Sequence, residues 1–218
     1  MLQLYTYYRS VSSHRVRIAL NYKGIPYKSI FIDEDKAEEE SADYLRLNPQ
    51  GLIPSLLVEN SFIVTQSAAI IEFLEERYPE RPLLPADIKG RARVRSFAQF
   101  CIADVQPLNL LRVYHYMRDE MGIDRVARRR WYEYWAHKGF SAMESLLAGH
   151  PETGDFCHGD APTLADVCLV PQMYNAERNK LDISYYPTLR RIHRTCQALS
   201  AFQAAAPETQ PDLQAKSV

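Results

Sequence analysis

The run Tyr8-Arg9-Ser10-Val11-Ser12-Ser13-His14-Arg15 gathers three serine hydroxyls and two arginines at one place near the N-terminus. Before it, Leu2 to Tyr7 alternates apolar and polar residues and is rich in aromatics, the pattern of a half-buried strand. After it, Val16, Ile18, Ala19, Leu20 and Tyr22 recur at helical spacing, and Gly24 follows as a stop. A strand, a hydroxyl-rich turn and a helix start leave backbone N–H groups pointing outward, where an anion is stabilised. A thiolate, a carboxylate or a phosphate suits such a place. A serine before a helix also serves simply as its cap, and the local pattern leaves both duties open.

Three further stretches carry residue types with chemical uses. Ile53-Pro54 precedes an apolar run; a proline there cannot donate to a ladder. It is either an ordinary trans proline opening a strand or a cis bond in a tight turn, which leaves the preceding backbone open to an extended, peptide-like ligand. Gln66-Ser67 opens a helical pattern and offers a second anion site, with capping by Ser67 as the plainer alternative. Arg178 closes another helical pattern, either as a partner of the helix dipole or as a fork for a carboxylate. Thr163-Leu164-Ala165-Asp166, by contrast, reads as a capping box that starts a buried helix.

The elements that must hold these residues fall into two parts. Up to Leu84 the signals alternate in the order β-α-β-α-β-β-α. The second strand covers Lys28 to Ile32, parallel to the first through a right-handed crossover, and a short helix covers Ser41 to Leu47. The strands Ser55–Val58 and Phe62–Val64 form a hairpin across a Glu59-Asn60 turn. The acidic run Asp33 to Glu40 reads as a solvated loop or helix face. The prolines from Pro79 to Pro85 break the pattern. Helical periodicity then runs through Arg91–Met117, Arg125–Leu147, Thr163–Asn179 and Thr188–Leu199 without a convincing strand. We therefore expect an α/β domain over residues 1–84, a linker over 85–89, an all-α domain over 90–212 and a flexible tail over 213–218, polar and frayed from Pro207 onward.

Composition narrows the classes of function. The formal net charge of −1 provides no basic field for nucleic acid or an anionic membrane. No apolar run is long enough to span a bilayer, and no signal-peptide pattern precedes the first strand. The four cysteines, Cys101, Cys157, Cys168 and Cys196, are widely spaced without a C-x-x-C pair, which suits reduced thiols in the cytoplasm. The six histidines lack metal-ligand spacing, so no metal is implied.

Taken in order, these pieces resemble the glutathione transferase superfamily, and within it the zeta class, which includes maleylacetoacetate and maleylpyruvate isomerases. The zeta hallmark Ser-Ser-Cys-x-Trp-Arg-Val-Arg-Ile-Ala-Leu is met here by Ser10-Val11-Ser12-Ser13-His14-Arg15-Val16-Arg17-Ile18-Ala19-Leu20. Further matches are Asn48-Pro49, Ile53-Pro54, Gln66-Ser67-Ala68-Ala69-Ile70-Ile71-Glu72, Gln106-Pro107-Leu108-Asn109, Gly159-Asp160, Thr163 to Asp166, Leu169 to Gln172, Asn175 to Arg178 and Ala201-Phe202. Val11, Ser12 and His14 depart from the hallmark's second serine, its cysteine and its tryptophan.

The resemblance implies a thioredoxin-like glutathione-binding domain followed by a helical substrate domain, in a homodimer. It implies a glutathione-dependent cis–trans isomerase acting on a maleyl dicarboxylate by reversible thiolate addition. Ser10 then stabilises the thiolate, Ser12 assists in the cysteine's place, and Arg9 meets developing negative charge. Ile53, held by a cis Pro54, pairs with the peptide-like backbone of glutathione; Gln66 and Ser67 meet its γ-glutamyl carboxylate, and Gln106 approaches the ligand. Arg178, and more weakly Arg112, grips the substrate's distal carboxylate. A glutathione-consuming transferase or dehalogenase and a non-catalytic glutathione-binding protein are the alternatives within the same resemblance.

Overall fold

The computed structural model describes residues 1–59 and 61–214. The chain divides into two compact units, one formed by Met1–Leu83 together with the chain from Gln197 onward, the other by Leu84–Cys196.

In the first unit, β1 (Leu2–Thr6), β2 (Tyr27–Phe31), β3 (Ser55–Val58) and β4 (Phe62–Thr65) form one sheet in the order β2-β1-β3-β4. β1 runs parallel to β2 and antiparallel to β3, and β3 pairs antiparallel with β4. Leu4 sits opposite Leu56, and both side chains are fully buried. The hairpin is as expected, although Asn60 of its turn lies outside the described residues. Helix α1 (Val11–Lys23) presents Val16, Ile18, Ala19 and Leu20 to the core and ends at Gly24, whose φ of 70° is a left-handed conformation that costs glycine nothing. The short helix α2 (Ala42–Leu47) is capped by the Ser41 hydroxyl, and α3 (Ser67–Arg77) buries Ile70, Ile71 and Leu74.

Two expectations about this unit need correction. The acidic run forms two 3₁₀ turns, Glu34–Lys36 and Glu38–Glu40, mostly exposed as expected, but it is not simply solvated: Asp35 is bonded to Tyr7 and Arg9 of the β1–α1 loop. The C-terminal segment is folded beyond Pro207. After α9 (Ser200–Ala205) come a 3₁₀ turn, Pro207–Thr209, and α10 (Pro211–Gln214), with Pro207, Gln210 and Asp212 buried. Of the expected tail, residues 213–214 are helical and 215–218 lie outside the described residues. Because α9 bonds to α1 and α10 bonds to Tyr8 in the β1–α1 loop, this segment folds with the N-terminal unit and not with the helical one. Its polar composition hid this, since side-chain-to-backbone bonds leave no apolar periodicity to read.

The second unit contains α4 (Ile88–Gln99), α5 (Leu111–Asp119), α6 (Arg125–Leu147), α7 (Leu164–Arg178) and α8 (Pro187–Gln197), whose last residue is already assigned to the first unit. The expected linker is shorter than 85–89, because Asp87 caps α4 by accepting from the Gly90 N–H at 2.8 Å. The single long helix expected over Arg91–Met117 is broken by a π-helical segment, Phe100–Val105, and a 3₁₀ turn opened by Pro107. Gly139 of α6 permits a close approach there, since a β-carbon would stand 2.6 Å from the Val105 side chain. Every residue of α7 from Leu164 to Met173 is buried, as befits a helix apolar on nearly all sides. Its capping box is present: Asp166 Oδ2 accepts from the Thr163 N–H and hydroxyl, each at 2.8 Å, while Oδ1 accepts from the Cys157 N–H at 2.8 Å. Among the described residues no helix is long and apolar enough to cross a membrane, and no cluster of three or more His, Cys, Asp or Glu side chains could hold a metal ion.

Candidate active site

Ser10 is the N-cap of α1, in extended conformation, and its Oγ accepts from the Ser13 N–H at 3.3 Å. A serine hydroxyl that accepts in this way keeps its proton to donate. The capping duty and the donor duty left open by the sequence are therefore compatible in one side chain. Ser12 lies half-buried in the first turn of the same helix. The positive end of α1 and the Ser10 hydroxyl are together suited to a thiolate.

Arg9 is tied down. Its Nη2 lies 2.5 Å from Asp35 Oδ1, and its guanidinium sits over the Tyr7 and Tyr8 rings, 5.6 and 5.9 Å from their centroids. The Tyr7 hydroxyl donates to the other Asp35 oxygen at 2.5 Å. Asp35, from the run expected to be merely solvated, thus anchors both the arginine and the aromatic residue ahead of Ser10. Next to it, burial and the neighbouring Glu39 push the Glu34 carboxyl up to about 7.

The Gln66-Ser67 turn departs from expectation. Gln66, not Ser67, is the N-cap residue of α3, and no side chain caps the helix. Ser67 is instead the first helical residue, and its hydroxyl accepts from Arg15 Nη1 at 3.0 Å. Arg15 is 1% exposed and comes from α1, so a buried cation stands beside the N-terminus of α3. That pairs a positive charge with a positive helix end, a combination suited to receiving a carboxylate. Gln66 adopts φ 67° and ψ 117°, a strained backbone for a residue with a side chain. Its Nε2 donates to Gln50 Oε1 at 2.9 Å, joining this turn to the loop that precedes Ile53.

That loop is built on the Leu52 carbonyl, which accepts from both the Tyr44 hydroxyl and Asn48 Nδ2 at 2.7 Å. The Tyr44 hydroxyl also lies 2.9 Å from Ser55 Oγ, and burial pushes its ionisation up to about 12. Ile53-Pro54 is cis, and Ile53 lies beyond the end of the β1–β3 ladder, which begins at Ser55. Ser10, Ser12, Arg9, Ile53, Pro54, Gln66 and Ser67 thus all belong to one unit, carried by α1, α3 and the loops around β3.

Gln106, Arg112 and Arg178 belong to the helical unit. Gln106 follows the π-helical segment, its N–H donating to the Cys101 carbonyl at 3.1 Å. Arg112 is exposed on α5. Arg178 is exposed at the last position of α7, and its Nη2 donates to Asn175 Oδ1 at 2.9 Å. The carbonyls that follow it, of Asn179 and Lys180, accept from Arg129 of α6, the second at 3.2 Å. The end of α7 therefore has a cation of its own besides Arg178.

The sequence reading missed Asp35, the Arg15–Ser67 contact and the tie between Gln50 and Gln66. Arg15 and Arg17 alternate with apolar residues in a helix, where a charge ordinarily reads as a solvated face. The one signal was Arg15's place beside the hydroxyl run.

Residues 9–77 match the glutathione S-transferase N-terminal domain family. The maleylpyruvate isomerase of Ralstonia sp is 44% identical over 211 residues, covering 97% of this chain and 99% of that protein. This chain belongs to the zeta-class glutathione transferase family. The holo structure of a zeta-class maleylpyruvate isomerase superposes with a TM-score of 0.93 at 45% identity, covering 96% of this chain and 99% of the other. A maleylacetoacetate isomerase from Methylobacterium extorquens AM1, with malonate and glutathione bound, superposes with a TM-score of 0.94 at 37% identity, covering 96% and 98%. The zeta-class fold, with its thioredoxin-like sheet and helical second part, is thus the one expected from the sequence.

Proposed function

We propose that this zeta-class chain is a glutathione-dependent isomerase that converts a maleyl dicarboxylate, maleylpyruvate or maleylacetoacetate, to its trans, fumaryl form. The observation that carries the reading is the state of Ser10: a hydroxyl at the N-terminus of α1, its lone pair engaged by the Ser13 N–H and its proton available to a ligand. The donor set fits glutathione. Its thiolate suits the start of α1, and its γ-glutamyl carboxylate suits the start of α3, where Arg15 supports Ser67.

In this reading Ser10 donates to the sulfur and favours the thiolate, with Ser12 assisting. Ile53 offers its main chain to the cysteinyl backbone, Pro54 and Gln50 keep that loop in place, Gln66 and Ser67 hold the γ-glutamyl end, and Gln106 is a further residue for the ligand. Bound glutathione supplies the nucleophile, whose reversible addition to the cis double bond makes it single and free to rotate before the thiol leaves again. Arg9, oriented by Asp35 and the two tyrosine rings, offers positive charge as the adding electrons reach the carbonyl oxygen. Arg178, assisted by Arg112, meets the distal carboxylate. The protein works as a homodimer, the assembly its family implies. Its four cysteines are free buried thiols, in keeping with a reducing cytoplasm.

The test is turnover of both cis substrates with glutathione present and withheld. Conversion that requires glutathione supports the proposal. Equal conversion without it, or none of either substrate with it, contradicts the proposal.

A further inference from the structure

The backbone just ahead of Ser10 is held by an arginine and an aspartate from two places far apart in the sequence. Arg17 is fully buried on α1. Its Nη1 donates to the Tyr7 carbonyl at 3.1 Å and to Thr6 Oγ1 at 3.2 Å, and its Nη2 donates to the Tyr8 carbonyl at 2.9 Å. Its Nε donates to the Ala205 carbonyl at the end of α9, at 3.0 Å. Asp212, 9% exposed on α10, accepts the Tyr8 N–H through Oδ2 at 2.7 Å. Both polar groups of the Tyr8 main chain are thus taken by side chains, the N–H by Asp212 and the carbonyl by Arg17. The Tyr7 carbonyl is shared, because it also accepts the N–H of Ser10 itself at 3.2 Å.

The C-terminal segment that supplies Asp212 is braced internally. Thr209 Oγ1 donates to the Ala206 carbonyl at 2.8 Å, and Gln210 Nε2 donates to the Ala204 and Ala206 carbonyls, each at 3.0 Å. Hydrogen bonds to charged groups are the stronger kind, and buried ones lose most when a partner is removed.

Resting on the isomerase reading, we infer that Asp212, working with Arg17, is a positioning residue for Ser10. The C-terminal segment is then a working part of the glutathione site: it fixes the Tyr7–Ser10 loop so that the serine hydroxyl meets the glutathione sulfur. A donor must be held to within a fraction of an ångström to favour a thiolate, and Ser10 lies two residues from the Asp212 contact.

The experiment is a pH titration of glutathione bound to the whole protein, following the ultraviolet absorbance of the thiolate. Asp212→Ala should raise the apparent thiol pKa by about half a unit to one unit, as expected when a thiolate loses part of its stabilisation. Asp212→Asn, whose amide oxygen can still accept the Tyr8 N–H, should remain within about 0.3 of the parent. Thr209→Val, which loosens the segment without touching Tyr8, should lower thermal stability and leave the thiol pKa in place. If Asp212→Ala is too unstable to hold glutathione, Asp212→Glu, which displaces the acceptor by one methylene, is read the same way and should also raise the pKa. A parent that depresses the thiol pKa, combined with an Asp212→Ala variant that keeps the depression, overturns the positioning alone. So does a Thr209→Val shift as large as that of Asp212→Ala. A parent whose bound thiol titrates like free glutathione overturns the isomerase reading and this inference with it.

Discussion

The Arg15 guanidinium, carried by α1, donates to the Ser67 hydroxyl at the first position of α3 across 3.0 Å. One buried bond therefore ties the helix that Ser10 begins to the helix start that suits a carboxylate. Replacing Arg15 by Met keeps the bulk and removes the charge. We expect the unfolding free energy to fall by about 2–3 kcal/mol, the scale of a hydrogen bond to a buried charged group. The KM for glutathione should rise by at least about tenfold, the equivalent of roughly 1.4 kcal/mol. Urea melts and initial rates check the two halves, and an unchanged KM would remove Arg15 from the glutathione site.

Ser10 and Ser12 should separate sharply. Ser10→Ala removes both the N-cap acceptor and the hydroxyl proton. It should cost about 1 kcal/mol of stability and about 10²–10³-fold in kcat, the scale of a lost oxyanion donor. Ser12→Ala, two residues further on and not the cap, should cost less than about tenfold in kcat, well below the roughly 10²–10³-fold of a lost oxyanion donor. Equal losses would move the thiolate's partner away from Ser10.

Glu34 makes stability depend on pH near neutrality. Burial first, then Glu39, raises its carboxyl from an ordinary value of 4.5 to about 7. Between those values the folded chain keeps a proton that the unfolded chain has released, so stability falls as pH rises through that window. Above about 7 the carboxylate's full burial cost is present. Glu34→Gln should therefore be more stable than the parent at pH above 7, by on the order of 1–3 kcal/mol. The advantage should vanish as pH falls toward 4.5. Denaturation midpoints at several pH values measure the difference, and parallel pH curves for the two proteins would refute it.

Arg178 is proposed to bind substrate and not to hold the end of α7, whose following carbonyls are taken by Arg129. Arg178→Ala should therefore leave thermal stability nearly unchanged, within about 0.5 kcal/mol for an exposed position. It should reduce kcat/KM for the dicarboxylate by at least about thirtyfold, the lower bound for losing a charged hydrogen-bonded partner. The glutathione KM should not move. A large loss of stability with an unaltered substrate KM would return Arg178 to a structural role.

The strand and helix order of the N-terminal unit was legible because its period-2 and period-3.6 patterns are clean and its boundaries are chemical: Ser41 starts a helix, and Gly24 and Asn48-Pro49 end one. Ser10, Gln66 and Ser67 stood out because hydroxyl and amide residues before an apolar periodic run mark helix starts. What stayed hidden depends on contacts distant in sequence. Ser67 looks like a cap until Arg15, 52 residues earlier, is found bonded to it. Asp35 looks solvated until the fold places it 2.5 Å from Arg9. Asp212 sits in a polar stretch with no periodicity, and its bond to Tyr8, 204 residues away, comes from the fold and not from any local pattern. The break in the helix after Gln99 was invisible for a different reason, since a π-helical segment keeps a nearly helical spacing of apolar residues.

The most direct test of the central claim is a thiol balance. The protein is incubated with a large excess of maleylpyruvate, or maleylacetoacetate, over a catalytic amount of glutathione, and free thiol is assayed while the cis substrate disappears. The account predicts many turnovers to the trans product with total thiol constant. Loss of one thiol for each substrate molecule consumed would contradict it and make the protein a conjugating transferase.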